Sequence, residues 1–216
     1  MDDQKKIRVV IVDDHEMLVQ GLRAALGMEP DIEVVASAGS VDDAFAAARL
    51  HAPDVILMDY ELPDGDGAVA TERIKAEVPS VQVVMVTSFD DEAVLVRAIE
   101  AGCSGFITKH KAIGEVSSAV RAAHSGEALI SPSMLARLLP RLRRRERGVG
   151  VDLTPREMEI LRYLAEGMSN AAIADRLVLS LHTVRNHVQN VIGKLGAHSK
   201  LEAVATAVRE GILRQA

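Results

Sequence analysis

Five short apolar runs in the first 125 residues constrain the fold of this chain more than any other feature. They are rich in Val, Ile and Leu and cover residues 7–12, 32–37, 54–59, 81–87 and 104–108. Nearly continuous apolar runs of this length are typical of strands covered on both faces. Stretches with helical periodicity alternate with them, near 15–27, 40–50, 66–77, 90–101 and 111–124. Five β-α repeats predict an α/β fold, a flavodoxin-like five-stranded parallel sheet with helices on both faces.

The last 65 residues have a different, helical character. Thr154-Pro155-Arg156-Glu157 is a capping box with proline at the first helical position, a strong signal for a helix start. Three further starts, at Ser169, Ser180 and Ser199, predict an all-α domain of four helices, with a helix-turn-helix in its middle. We therefore expect a first domain over 1–126, a linker with one short helix and an Arg-rich stretch over 127–151, and a second domain over 152–216.

The charge of the chain divides at the same place. Residues 1–130 carry 11 Lys/Arg and 23 Asp/Glu, a net of −12, whereas residues 131–216 carry 14 and 8, a net of +6. A basic second domain indicates a polyanion partner such as DNA. The single cysteine, Cys103, fits a reducing compartment. With no signal peptide or membrane-length apolar window, we expect a cytoplasmic protein without a membrane partner.

Polar residues stand at the ends of the predicted strands. Asp13 and Asp14 follow the first strand, Asp59 ends the third, Thr87 ends the fourth and Lys109 follows the fifth. Because carboxyl ends of parallel strands meet at one sheet edge, these side chains should converge. Clustered carboxylates favour Mg²⁺, which Asp14 would hold, with Asp13 acting through water. Asp59 would be a nucleophile for a phosphoryl group, whose oxygens Lys109 and Thr87 would contact.

This constellation resembles the receiver domain of two-component response regulators. The resemblance rests on DD after strand one, on D-x-x-x-P-x-x-x-G from Asp59 to Gly67, on T-S at 87–88 and on F-x-x-K at 106–109. It implies an aspartyl phosphate on Asp59, received from a sensor histidine kinase. It also implies Mg²⁺ bound by Asp14, Asp59 and the backbone carbonyl of Glu61, with Phe106 moving in concert with Thr87. Many receivers have proline after the lysine; here His110 follows Lys109, so a trans peptide is expected.

An alternative for the same acids is an Asp-nucleophile phosphatase or phosphotransferase of the haloacid dehalogenase-like kind. Such enzymes typically carry an Asp two residues after the nucleophile, where this chain has Glu61, and further downstream metal-binding acids, of which the sequence offers no convincing set. A calcium loop at 64–67 is disfavoured, because Leu62 and Arg73 would occupy its first and last ligand positions. We therefore expect a regulator and not an enzyme.

The third helix of the second domain is strongly amphipathic. Val184, Val188, Val191, Ile192 and Leu195 form its apolar stripe. The exposed face then carries Arg185, Asn186, Gln189 and Asn190, a set without acids. Arg, Asn and Gln are the side chains that pair bidentately with guanine and adenine in the major groove. A solvated helix is the plain alternative, which the basic charge of the domain disfavours.

Residues 152–213 resemble the LuxR-type helix-turn-helix of NarL/FixJ-like regulators. The motifs are LTPREMEIL, AEGMSNAAIADRL, S-x-x-TV-x-NHV, KLG and the stretch 202–204. The resemblance implies Arg185, Asn186 and Gln189 as base readers. Phosphate contacts are expected from Ser169, Asn170, Thr183 and Lys194. On the last helix, one face carries Leu201, Val204, Ala205 and Val208. This face would either be buried within the small domain or form a homodimer on a two-fold symmetric promoter site.

Overall fold

A computed structural model describes residues 6–88, 92–141 and 152–213. The Arg-rich stretch of the expected linker, from 142 to 151, lies outside the described residues, as does the beginning of the expected helix near 90–101. The five main strands are β1 (Ile7–Val12), β2 (Ile32–Ala38), β3 (Val55–Asp59), β6 (Gln82–Thr87) and β7 (Gly105–Thr108). Two 2-residue strands, β4 (Glu61–Leu62) and β5 (Gly65–Asp66), form a small antiparallel hairpin after β3.

The main sheet is parallel throughout, with strand order β2-β1-β3-β6-β7. Five helices cover its two faces: α1 (Glu16–Gly27), α2 (Val41–His51), α3 (Gly67–Glu77), α4 (Glu92–Glu100) and α5 (Lys109–His124). The order reverses beside β1 and β3, so the carboxyl ends of these strands flank a crevice where ligands bind in open α/β sheets. The predicted flavodoxin-like architecture is confirmed.

The second half of the described chain is helical. After α6 (Pro132–Leu138) and a 3₁₀ turn (Leu139–Arg141) come α7 (Pro155–Ala165), α8 (Asn170–Leu177), α9 (Leu181–Lys194) and α10 (Lys200–Arg209). Side chains of Thr154, Ser169, Ser180 and Ser199 accept hydrogen bonds from backbone N–H groups in the first turns of α7 to α10. These N-caps satisfy donors that have no partner inside the helix, which explains why each helix begins where it does.

Buried apolar side chains form two clusters, one on each face of the sheet. Helices α1 and α5 close the first cluster over one face. The second cluster lies under α2, α3 and α4, and it continues through α6 into the core of α7 to α10. The two halves of the chain therefore share one continuous apolar core, with α10 packed between α4 on one side and α7 and α9 on the other. None of the helices in the described ranges has the length and apolarity needed to cross a membrane.

Candidate functional site

The predicted sheet-edge residues come together around Asp59. This carboxylate is 2% exposed at the end of β3. Lys109, the first residue of α5, donates a hydrogen bond of 2.6 Å from Nζ to Asp59 Oδ2, and the same ammonium lies 2.8 Å from Asp13 Oδ2. One lysine thus bridges two buried carboxylates from different strands, as expected for residues at the carboxyl ends of parallel strands.

The electrostatics of this edge follow from burial and close charges. Burial raises the pKa of Asp59, and the charge of Asp13 acts in the same direction, although the hydrogen bond from Lys109 opposes both. Burial alone would lower the pKa of Lys109, but the hydrogen bonds to Asp13 and Asp59 outweigh it and the pKa is raised. The lysine therefore stays cationic beside Asp59, where it can stabilise negative charge that develops at this edge of the sheet.

Asp14 and His15 complete an acidic cluster at the mouth of the site. Ligand atoms of Asp13, Asp14, His15 and Asp59 lie within 4.8 Å of one another. Asp13 Oδ2 is buried, and its contact among the described residues is the ion pair with Lys109 Nζ at 2.8 Å. Carboxylate oxygens in this arrangement fit a hard divalent cation, which prefers oxygen ligands and retains water. Glu61 is exposed beside the cluster and lines the same cleft as Asp59 and Lys109.

The turn after Asp59 holds helix α3 against the site. Gly67 N–H donates to the carbonyl oxygen of Tyr60 at 2.7 Å. A Cβ on Gly67 would overlap the carbonyl oxygen of Asp59, so glycine is required at this close approach. Asp66 caps α3 through the N–H of Val69.

Asp64 has a different role, because its carboxylate accepts hydrogen bonds from the N–H groups of Val41 and Asp42, at the start of α2. The exposed Asp64 carboxylate therefore serves the start of α2 and not that of α3, the helix that it precedes in sequence.

Thr87 and Phe106 lie on neighbouring strands behind the acidic cluster. Thr87 is buried at the end of β6, and Phe106 is half-buried on β7. Both line a cavity closed by the segment 128–131 and by Met134 of α6. The peptide between Lys109 and His110 is trans, since the described residues contain no cis peptide bond.

The polar face of α9 is open to solvent. Arg185, Asn186, Gln189 and Asn190 are all exposed, whereas Val184, Val188 and Val191 are buried beneath them. Asn186 Nδ2 lies 3.2 Å from His182 Nε2, one helical turn earlier. The first half of the chain therefore leaves this face accessible. The three expected base readers, Arg185, Asn186 and Gln189, are therefore all exposed to solvent.

The expected phosphate contacts have more varied surroundings. Ser169 and Thr183 lie in the first turns of α8 and α9, where the Ser169 and Ser180 hydroxyls cap the helices. Asn170 is 1% exposed. Lys194 lies 2.7 Å from Glu157 Oε2 and donates to the carbonyl oxygen of Asp152 at 3.0 Å. The Lys194 ammonium is thus already paired within the domain. Its hydrogen bond to the Glu157 carboxylate lowers the pKa of Glu157.

Helix α10 is covered on the face expected to dimerise. Leu201, Val204 and Ala205 are buried within the single chain, and Val208 is partly buried against the same core. At the start of α10, Ser199 Oγ donates to the carbonyl oxygen of Cys103 at 2.8 Å. This hydrogen bond fixes α10 to the loop between α4 and β7. In this arrangement of the chain the face is therefore not available to a second copy.

The fold and the two sites define a class of protein: a signalling domain with an acidic pocket, joined to a helix-turn-helix domain that binds DNA. Comparison with protein families agrees with this definition. Residues 9–121 match the response regulator receiver domain, and residues 151–207 match the bacterial regulatory proteins of the LuxR family. The chain belongs to the family of two-component response regulators with a LuxR-type DNA-binding domain.

Relatives extend over the whole chain. The response regulator protein VraR of Staphylococcus epidermidis is 37% identical over 96% of this chain and 99% of its own length. The transcriptional regulatory protein LnrK of Bacillus subtilis is 34% identical over 95% and 98%. Among solved structures, the response regulator ChrA of a heme-sensing two-component system is 31% identical, with a TM-score of 0.51 over 96% of this chain and 99% of that one. The protein is therefore a transcriptional response regulator, whose family binds DNA and is controlled by histidine kinases.

Several residues near the sites were missed from the sequence. His15 Nδ1 lies 3.0 Å from Asp13 and 2.8 Å from Asp14, and its position directly after the acid pair was the available signal. Lys75 and Glu127 contact the second domain across long sequence separations. No local pattern marked those two residues.

Proposed function

We propose that Asp59 accepts a phosphoryl group from a sensor histidine kinase. The observation that carries this proposal is the buried Asp59 carboxylate, bridged by Lys109 to Asp13 at the carboxyl edge of the sheet. The carboxylate oxygen would attack the phosphorus of the phosphohistidine, and the bond from phosphorus to the imidazole nitrogen would break. Lys109 and Thr87 would then contact oxygens of the phosphoryl group.

Mg²⁺ would be held by Asp14, by Asp59 and by the backbone carbonyl of Glu61, with Asp13 contacting a bound water. The clustered oxygens of Asp13, Asp14 and Asp59 support this assignment. When bound, the cation neutralises charge on the phosphoryl oxygens. Asp59 and Asp13 are both buried, so the inner side of the site is shielded from solvent.

Phosphorylation would be transmitted through Thr87 and Phe106. The cavity that these residues share with the segment 128–131 supports a movement of Phe106 toward Thr87. The backbone N–H of Phe106 donates to the carbonyl oxygen of Leu129 at 2.9 Å. A shift of β7 would therefore move the segment 128–131, which leads into α6. We describe this as a change in the population of two states of the receiver.

The second domain would bind promoter DNA through α9. Arg185, Asn186 and Gln189 would read base edges, and their exposure together with Asn190 supports this role. Ser169, Asn170, Thr183 and Lys194 would contact phosphates. Separation of the domains would free Leu201, Val204, Ala205 and Val208 for a homodimer that matches a two-fold symmetric site. We propose the domain division 1–126, 127–151 and 152–216 for this regulator, acting in the cytoplasm.

The phosphoacceptor role is tested with acetyl phosphate and Mg²⁺. Wild-type protein should gain one phosphoryl group, detected by intact mass or phosphate-affinity electrophoresis, and Asp59→Asn should gain none. Asp54→Asn is a matched control, since it removes a carboxylate in the turn before the same strand, remote from the site. Acid-labile label retained on Asp59→Asn would refute the assignment. Steady turnover of a small phosphate ester would instead favour the haloacid dehalogenase-like enzyme.

A further inference from the structure

Glu127, in the turn after α5, places its carboxylate at the N-terminus of α8. The backbone N–H of Asn170, the first residue of α8, lies 3.2 Å from Glu127 Oε1 and 3.3 Å from Oε2. Lys200, the first residue of α10, donates from Nζ to Glu127 Oε2 at 2.8 Å. The Lys200 side chain is only 6% exposed, and it also donates to Asn170 Oδ1 at 3.2 Å. An anion of the receiver half is thus seated in a small, largely buried site of the DNA-binding half.

This site has the chemistry of a phosphate site. Free N–H groups in the first turn of a helix and a lysine ammonium are the groups that commonly hold phosphate oxygens. In a helix-turn-helix, the first helix crosses the DNA backbone while the second enters the major groove. Helix α8 is that first helix, and Asn170 and Ser169 are residues that we propose as phosphate contacts.

We propose that Glu127 occupies the place of a DNA backbone phosphate, so that the chain competes with DNA for its own phosphate site. The inference rests on the proposed DNA-binding function and deepens it. It also explains how unphosphorylated protein can be held back although the base-reading face of α9 is exposed. The receiver would block a contact that positions the protein on DNA and would leave the reading face free.

The position of Glu127 is tied to the proposed switch. Its backbone N–H donates to the carbonyl oxygen of Ala122 at 2.9 Å, and Leu129 lies along β7. Leu129 fits there because Gly105 has no side chain. A Cβ at position 105 would overlap the Leu129 backbone. Leu129 lies two residues after Glu127, and its carbonyl oxygen accepts a hydrogen bond from the backbone N–H of Phe106. A movement of Phe106 therefore acts on the segment that carries the carboxylate.

The first test compares Glu127→Gln with Glu33→Gln in the full-length, unphosphorylated protein. Glu33 is exposed on β2, at the sheet edge opposite β7, so its substitution changes the net charge equally without touching the domain contact. The probe is a fluorescein-labelled, mixed-sequence duplex of about 30 base pairs, long enough for two half-sites one turn apart. Fluorescence anisotropy should show binding about tenfold tighter for Glu127→Gln than for Glu33→Gln, because removal of one partner from a largely buried ion pair favours the open chain.

Lys200→Gln separates a phosphate site from a simple clamp between the domains. Both roles predict that this substitution loosens the closed chain. If Lys200 also binds DNA phosphate, Lys200→Gln should not gain affinity as Glu127→Gln does. The double variant should bind more weakly than Glu127→Gln, with the slope of log K against log salt smaller by about 0.9. Equal gains in affinity for Lys200→Gln and Glu127→Gln would overturn the phosphate-site inference.

The outcomes also distinguish this inference from the proposed function. If acetyl phosphate tightens DNA binding but Glu127→Gln does not, Glu127 is not the competitor and the regulator function stands. If neither treatment produces binding to the duplex, the DNA-binding function itself fails. Should Glu127→Gln fold poorly, as judged by circular dichroism, Glu127→Asp retains the charge but shortens its reach. That variant should also bind the duplex more tightly, and unchanged affinity would refute the inference.

Discussion

Raising the pH should stabilise the assembled two-domain chain through Lys75, a buried residue of α3. Its side chain donates to the carbonyl oxygens of Val81, at 2.5 Å, and of His198 in the second domain, at 3.1 Å. The residue is 1% exposed. Burial lowers the pKa of Lys75 from 10.5 to about 8, although the charge of Glu202 partly opposes this change. Docking of the second domain therefore covers a cation that would be better solvated in water.

The sign follows from proton binding in the two states. The folded protein releases the Lys75 proton near pH 8, whereas the unfolded chain retains it up to about pH 10.5. Between these values the unfolded chain binds more protons, so the free energy of unfolding rises with pH. The stabilisation is complete above the unfolded pKa and is lost as the pH falls through the folded pKa. Its limit is about 3.4 kcal/mol, of which about 2 kcal/mol develops between about pH 8 and pH 10.

The assay is urea unfolding at several pH values, followed by circular dichroism. Cys103 acts in the opposite direction, because burial raises the pKa of its thiol above the usual value and the unfolded chain ionises first. The comparison is therefore made in a Cys103→Ala background, with Lys75→Met as the second protein. The free energy of unfolding of the Lys75 protein should rise by about 2 kcal/mol relative to Lys75→Met over this range.

Identical pH dependence in the two proteins would refute the reasoning, because it would mean that Lys75 has the same pKa in the folded and unfolded states. A relative loss of stability for the Lys75 protein would refute it more strongly. That result would require the folded pKa to be raised, as in a lysine dominated by an ion pair with Glu202 rather than by burial.

Three further changes test other parts of the structure. Gly67→Ala should lower the free energy of unfolding by about 1–3 kcal/mol, because its Cβ would overlap the Asp59 carbonyl oxygen; an unchanged melting temperature would contradict this close approach. Thr154→Ala removes the cap of α7 and should cost about 1 kcal/mol in urea unfolding, while full stability would show that Glu157 caps the helix alone. In binding assays with a panel of duplexes, Arg185→Ala should relax base preference, whereas Thr183→Ala should weaken binding to all sequences alike; uniform weakening by Arg185→Ala would count against its role as a base reader.

The residues of the sheet-edge site could be predicted from the sequence because the ends of the strands can be located along the chain. Apolar runs locate the ends of the strands, and a parallel arrangement then brings Asp13, Asp59 and Lys109 together. The capping residues of α7 to α10 could be identified for the same reason, since an N-cap acts on a backbone group only two or three residues away. His15 was missed because its one signal was adjacency to the acid pair, which neither periodicity nor motif spacing reinforced.

Contacts over long sequence separations were decided only by the tertiary structure. Asp64 caps α2, more than 20 residues earlier, instead of the helix that it precedes. Helix α10 has an apolar face that fits an internal core or a dimer equally well by periodicity. Its burial beside α4 follows from how two folded domains pack, which no local pattern encodes.

The sequence by itself thus determined the two folds, the sheet-edge site and the exposed polar face of α9, because each follows from local periodicity, caps and strand order. Only the tertiary structure decided which functional surfaces the domains leave open. Arg185 and its neighbours stay exposed, whereas Lys200 and Asn170 are held by Glu127, which precedes them by 73 and 43 residues. The physical reason is that an interface is selected by complementary charge and shape between distant segments, and its free energy is not a property of either segment alone.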